Sequence, residues 1–180
     1  GTPLNQGWGM SEAGPISTLP PSRNANVAPE EAARLRSLAG TPLMNVEMRI
    51  VDDEGRELAW DGLTGGELEV RGYAVVRSYL DGAGADAFTH DGWLKTGDIA
   101  TIDDQGFLRI VDRIKDVIKS GGEWISAISL ELAASEHPDI AYAGAVGAHH
   151  AKWSERPVLF VQARDGYEDP LDLDGVRAFL

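Results

Sequence analysis

The chain has 180 residues, 43% hydrophobic and 25% charged, with a net charge of −13 and no cysteine. That size suits one domain or two small ones, in which roughly 70% of the unfolded chain's surface becomes buried. A disulfide framework and a thiolate metal site are excluded, no apolar run is long enough for a membrane-spanning helix, and the negative field disfavours nucleic acid as a partner.

Residues 1 to 27 are rich in Gly, Pro, Ser and Asn and read as loop. "APEEAARLRSLAG" predicts a helix, with Pro29 in the first turn, two glutamates behind it and Gly40 to end it. The period then becomes two. "VEMRIVD" (46–52), "GELEVRG" (66–72), "DIATID" (98–103) and "FLRIVD" (107–112) alternate apolar and polar residues as half-buried strands do. Turn signals "DDEG", "LTGG" and "DDQG" separate them. This part predicts an antiparallel sheet or a small β-barrel-like subdomain.

After Asp112 the character shifts. "DVIKS" predicts a short strand, and "ISAISLELAASEH" a helix that stops at Pro138. "IAYAGAVGA" (140–148) and "PVLFVQARD" (157–165) are nearly continuous apolar runs, expected as strands buried on both faces. A last helix is expected from Asp172 or Asp174. The fold class is α+β: a β-rich part over 1–112, then a small α+β domain over 113–180. The chain starts at Gly1 and stops at Leu180 inside "DLDGVRAFL", so a piece of a larger protein is expected. Nothing resembles a signal peptide, which makes a cytoplasmic location the default.

Three groups could carry chemistry. In "QGWGMSEAGP" two glycines flank Trp8 and allow close backbone approach to a flat ligand, on which the indole could stack. Ser11 could donate to a phosphate oxygen, and Glu12 could hold Mg²⁺. The alternative is a Gly-rich turn with a packing Trp. In "WLKTGDIA", Asp98 could accept from two ribose hydroxyls, or simply cap its own turn. Between Arg109 and Lys119 four basic residues (Arg109, Arg113, Lys115, Lys119) face two acids (Asp112, Asp116), a positive island in an acidic chain; it could equally be a solvated face. His90, His137, His149 and His150 form no metal-ligand spacing, and neither a serine elbow nor a Walker loop is present.

Singly these motifs are weak, but their order is specific. "QGWGMSE", "GTPLMNVEMRIVD", "GELEVRGYAVVRSYL", "DGWLKTGDIATIDDQGFLRIVDRIKDVIKSGGEWIS" and "LELAASEHPDIAYAGAVGAHHAKWSERPVLFV" resemble, in this order, the second half of the adenylate-forming acyl-CoA synthetases. The joint segment "DRIKDVIKSGGEWIS" is most similar to fatty acyl-CoA ligases. The resemblance implies a β-rich end of a large adenylation domain, a hinge, and part of a lid domain. It implies ATP, Mg²⁺ and CoA as cofactor and substrates, a fatty acid as the acid, and leaves a homodimer open.

Residue by residue, the resemblance puts Trp8, followed by Gly9, against adenine, where the family usually has Tyr. Ser11 falls on the α-phosphate contact, usually Thr, and Glu12 on the Mg²⁺ carboxylate. Asp98 falls on the ribose grip, and Arg113 on an arginine that reaches the nucleotide. Lys115 falls on the pivot. Lys119, Gly121, Gly122 and Trp124 fall on the loop that swings in where CoA enters. The family's phosphate loop and terminal catalytic lysine have no match here, so these residues alone are expected not to make acyl-CoA. A ligase for aryl or amino acids and a non-catalytic nucleotide-binding module remain the alternatives.

Overall fold

The computed structural model describes residues 6–17, 27–166 and 172–180. These fall into two compact units, one running up to Val111 and the other from Asp112. Both are mixed α+β with antiparallel strand pairing. No helix among the described residues is long and apolar enough to cross a membrane.

In the first unit the alternating segments become a four-stranded sheet. Its strands are β3 (Val46–Val51), β4 (Gly66–Gly72), β5 (Leu94–Ile102) and β6 (Leu108–Arg113), in that order. The order is linear, with β3 and β6 as its ends, so the expected barrel-like subdomain is an open sheet. Four strands are fewer than the about five to eight that close small barrels. One face carries Ile50, Leu68, Val70, Leu94, Ile102 and Leu108, all buried. Each such aliphatic side chain contributes about 1.5–3 kcal/mol on burial.

The other face of β3 and β4 is charged and paired across the strands. Glu47 lies opposite Arg71 and Arg49 opposite Glu69. Arg49 donates from Nε to Glu69 Oε2 at 2.7 Å, and Arg71 from Nη2 to Glu47 Oε2 at 2.6 Å. The buried ring of Trp93 lies against both guanidinium groups, 4.4 Å from that of Arg49 and 4.5 Å from that of Arg71. This satisfies a buried Glu69 that the alternating pattern alone would leave on the polar side.

The first helix, α1 (Pro29–Arg36), starts on Pro29, has Glu30 and Glu31 in its first turn and Arg34 in its last, and stops at Arg36, short of Gly40. The segment read as loop contains a hairpin, β1 (Trp8–Met10) and β2 (Gly14–Ser17), paired through Trp8↔Ser17 and Met10↔Gly14. Trp8 and Met10 pack against the main core, and that burial outweighs a turn-rich composition.

In the second unit the sheet order is β8–β7–β10–β9, from β7 (Ile118–Ser120), β8 (Glu123–Ile125), β9 (Ile140–His150) and β10 (Ser154–Ala163). Helix α2 (Ala127–Ser135) packs on it, and α3 (Leu173–Phe179) follows. Ile118, Ala127 and Ala145 form one small core; Ala134, Ile140 and Val176 form another. Helix α2 begins where the Ser126 hydroxyl accepts the Ser129 N–H at 3.1 Å. That hydroxyl donates to the buried Asp112 carboxylate at 2.9 Å, which also takes the Ile128 N–H.

The long hairpin of β9 and β10 is not buried on both faces as expected. Tyr142, Val146, Val158 and Phe160 are exposed on one side, with Val158 paired to Val146. The strands are antiparallel neighbours rather than central parallel strands, so burial alternates along β10.

Candidate functional site

In the first unit the candidate residues are held by the β1–β2 hairpin and β5. Residues Ser11 to Ala13 form the hairpin's connection, where Ala13 N–H donates to the Met10 carbonyl at 3.0 Å. This places Trp8 and Gly9 on β1, and an exposed Ser11 and half-buried Glu12 at its tip. Asp98 lies in β5, 7% exposed, with its own N–H held by the Thr96 hydroxyl at 3.1 Å. Thr96 in turn donates to the Leu68 carbonyl at 2.8 Å, fixing "TGD" to the neighbouring strand.

The contact that joins these elements spans 90 residues of sequence: Trp8 Nε1–H donates to Asp98 Oδ2 at 2.7 Å. Hydrogen bonds to a charged acceptor contribute about 1.5–3 kcal/mol. The bond uses the indole edge, so it holds Asp98 beside the ring and leaves the ring faces out of the bond.

Glu12 is held by a residue that sequence reasoning missed. The Tyr79 hydroxyl donates to Glu12 Oε1 at 2.8 Å, and Val76 N–H donates to the Glu12 carbonyl at 2.8 Å. The Glu12 carboxylate, with a smaller contribution from burial, raises the Tyr79 phenol above its ordinary range, so the tyrosine stays a donor. Tyr79 packs edge-on against Phe88, centroids 5.7 Å apart. "RSYLDG" carries no periodicity or motif that could have flagged it.

The remaining predicted residues belong to the second unit. Arg113, exposed, ends β6, and its carbonyl accepts from Asp116 N–H and Val117 N–H, both at 2.9 Å, in a tight turn. Lys115 sits on that turn, largely exposed, with Nζ 4.0 Å from Asp116 Oδ2. The segment from Lys119 to Trp124 is a hairpin. Lys119 pairs with Trp124 and Ser120 with Glu123, around Gly121 and Gly122 at φ 62° and 88°. Two successive positive φ values are what a two-residue turn matching strand twist requires, so the glycine pair follows from the geometry. Lys119 Nζ lies 4.4 Å from the centre of the Trp124 ring.

Such an arrangement offers an aromatic plane, a buried carboxylate beside it and a second oriented carboxylate in the first unit, and a cation on an aromatic hairpin in the second. Residues 1–80 match the AMP-binding enzyme family. A 3-methylmercaptopropionyl-CoA ligase of Ruegeria lacuscaerulensis is 44% identical over 96% of this chain and 32% of its own length. A medium-chain-fatty-acid–CoA ligase of Ectopseudomonas oleovorans is 44% identical over 88% of this chain and 29% of its own. Among solved structures, o-succinylbenzoate CoA synthetase of Bacillus subtilis, in complex with its acyl-adenylate intermediate, superposes with a TM-score of 0.73 at 32% identity, over 97% of this chain and 33% of that one. The chain thus spans about a third of the length of these relatives. The likeness runs through both units, and the chain belongs to the adenylate-forming, AMP-binding enzymes.

Proposed function

We propose that the chain is part of an AMP-forming acyl-CoA synthetase acting on an alkyl carboxylic acid. In the first step the acid's carboxylate oxygen attacks the α-phosphorus of ATP, and pyrophosphate leaves. In the second the CoA thiol attacks the acyl carbonyl, loses its proton and expels AMP. The observation that carries this reading is the Trp8–Asp98 bond, which sets an aromatic plane beside a buried carboxylate. A purine on the indole and ribose hydroxyls on the carboxylate is the ligand that pair suits.

Ser11 at the hairpin tip donates to phosphate oxygen. Glu12 is the Mg²⁺ ligand of this reading. Among the described residues no three His, Asp or Glu side chains gather to hold a metal by themselves. Mg²⁺ commonly takes one or two carboxylates and completes its shell with substrate phosphates and water, so one carboxylate oriented by Tyr79 fits it. The ion would neutralise charge on the phosphates during transfer. Arg113 adds positive charge toward the nucleotide, Lys115 lies at the pivot, and the Lys119–Trp124 hairpin serves the thioester step at the CoA thiol. The work of all these groups is positioning and electrostatic stabilisation.

The medium-chain and long-chain fatty-acid ligases among the relatives, at 44% and 38% identity, support an alkyl acid. The 4-coumarate–CoA ligases of soybean and Arabidopsis, at 38%, favour an aryl acid as the second reading. Acid-dependent ATP–pyrophosphate exchange by the full-length polypeptide decides between them. Exchange driven by alkyl acids in preference to 4-coumarate is expected; exchange with aryl acids alone overturns the substrate class, and none with any acid overturns the activity.

A further inference from the structure

Glu155 and Trp153, next to each other but for Ser154, both reach the hairpin of Lys119 to Trp124. The Lys119 backbone N–H donates to Glu155 Oε2 at 2.8 Å. The Gly121 N–H donates to the Trp153 carbonyl at 2.9 Å, and the Glu155 N–H uses the same carbonyl at 2.8 Å. Between them Ser154 pairs with Ser120 and has φ 65°. That left-handed conformation costs a non-glycine residue about 1 kcal/mol, and it kinks the chain where β10 meets β7.

The space around the contact is closely filled. A Cβ on Gly121 would lie 2.7 Å from the Trp153 ring, and one on Gly147 would lie 2.7 Å from Glu155 Oε2. The strand β9 therefore leaves room for the carboxylate, and the turn leaves room for the indole. Helix α2 and the β7–β8 strands hold the base of the hairpin through Ile118, Ala127 and Ile125. Its tip has no comparable apolar cluster: Gly121, Gly122 and Glu123 are exposed. Two further bonds tie its main chain, from the Lys119 N–H to the Glu155 carboxylate and from the Gly121 N–H to the Trp153 carbonyl.

We infer that Glu155 is a positioning residue for the thioester step, acting with Trp153 as a strap that holds the Lys119–Trp124 hairpin in one register. The inference rests on the proposed role of that hairpin. The Glu155 carboxylate touches no substrate. It fixes the Lys119 main chain, and through it where the Lys119 ammonium and the Trp124 ring are presented. Loss of the strap misplaces those groups without touching Trp8, Glu12 or Asp98, so the two half-reactions should separate.

The test uses the full-length ligase with the best acid found by exchange. Adenylate formation is read as ATP–pyrophosphate exchange, and the second step as transfer of preformed acyl-adenylate to CoA in a single turnover. Glu155→Ala is expected to slow transfer about ten- to a hundredfold and leave exchange within about twofold, in line with the cost of misplacing a positioned group. Glu155→Gln keeps a carbonyl acceptor for the Lys119 N–H and is expected to recover most of the transfer rate. Amide hydrogen exchange at Lys119 should speed up in the alanine variant and not in the glutamine variant. Lys119→Ala and Trp124→Ala run beside them and are expected to slow transfer. If these two impair transfer and Glu155→Ala does not, the strap is wrong and the hairpin's role stands. If all three transfer normally, the hairpin's role fails and the strap with it. Equal loss of both half-reactions in Glu155→Ala, unrelieved in Glu155→Gln, makes Glu155 a folding residue and overturns the inference.

Discussion

Asp98 has two duties that a substitution can separate. It accepts the Trp8 indole N–H at 2.7 Å, and it is the proposed grip on the ribose hydroxyls. Asn at this position keeps an acceptor for the indole and loses the charge. In the full-length protein Asp98→Asn should weaken nucleotide binding by about tenfold, the worth of one charge-assisted bond, with a melting temperature within a few degrees of wild type. Asp98→Ala should also leave the indole N–H unpaired, costing about 1–3 kcal/mol of stability. Unchanged nucleotide affinity in Asp98→Asn, read by calorimetry, would remove Asp98 from the site. A different carboxylate offers a pH marker. Asp61 accepts from the Thr64 hydroxyl and from the Thr64 and Leu63 N–H groups at 2.7–2.8 Å, led by the hydroxyl, which holds its pKa at about 2. Because the folded value is depressed, this turn's contribution is present above the unfolded value near ~4 and is lost as pH falls toward about 2. NMR titration should find Asp61 near its low value, and Thr64→Val should move it up toward ~4; an unshifted titration in wild type would contradict the geometry.

At the scale of elements, strands and helices were legible where side chains of distinct size and polarity alternate. "VEMRIVD" and "GELEVRG" gave β3 and β4 because Met48, Ile50, Leu68 and Val70 turn inward at every second position. The β1–β2 hairpin was hidden by glycines and a proline, and it exists because Trp8 and Met10 find the core. In β9 and β10 the alternation was masked by Ala, Gly and Val, which look alike inside and outside. The strand in "DVIKS" was legible, and the loop that the resemblance put after it is the two-residue turn of a hairpin, since the Gly-Gly pair supplies two left-handed residues. Replacing Gly121 by Ala meets both a φ of 62° and the Trp153 ring 2.7 Å away. The expected result is destabilisation by more than about 1 kcal/mol in denaturant unfolding, together with a slower thioester step. Gly55 is exposed and has a similar φ of 78°, and a Cβ there would meet nothing within 4 Å, so Gly55→Ala carries the backbone strain without the clash and should cost less. Equal costs at the two positions would mean that the Trp153 contact does not constrain the turn.

Across the whole molecule, the likeness to known families was carried by the order of motifs, since composition and periodicity supply α+β and little more. Residue roles came from the same source. The distant pairing of Trp8 with Asp98 had no local signature, because a bond between residues 90 apart leaves no mark on either neighbourhood. Tyr79 was missed for the same reason. A chain with net charge −13 repels polyphosphates, so the proposed nucleotide binding depends on local groups, the Trp8 ring and the Mg²⁺ proposed on Glu12. The most direct measurement is a crystal structure of the full-length polypeptide soaked with AMP. The ribose hydroxyls are expected within about 2.5–3.2 Å of Asp98, with the adenine flat against Trp8. AMP bound with neither residue in contact would contradict this placement.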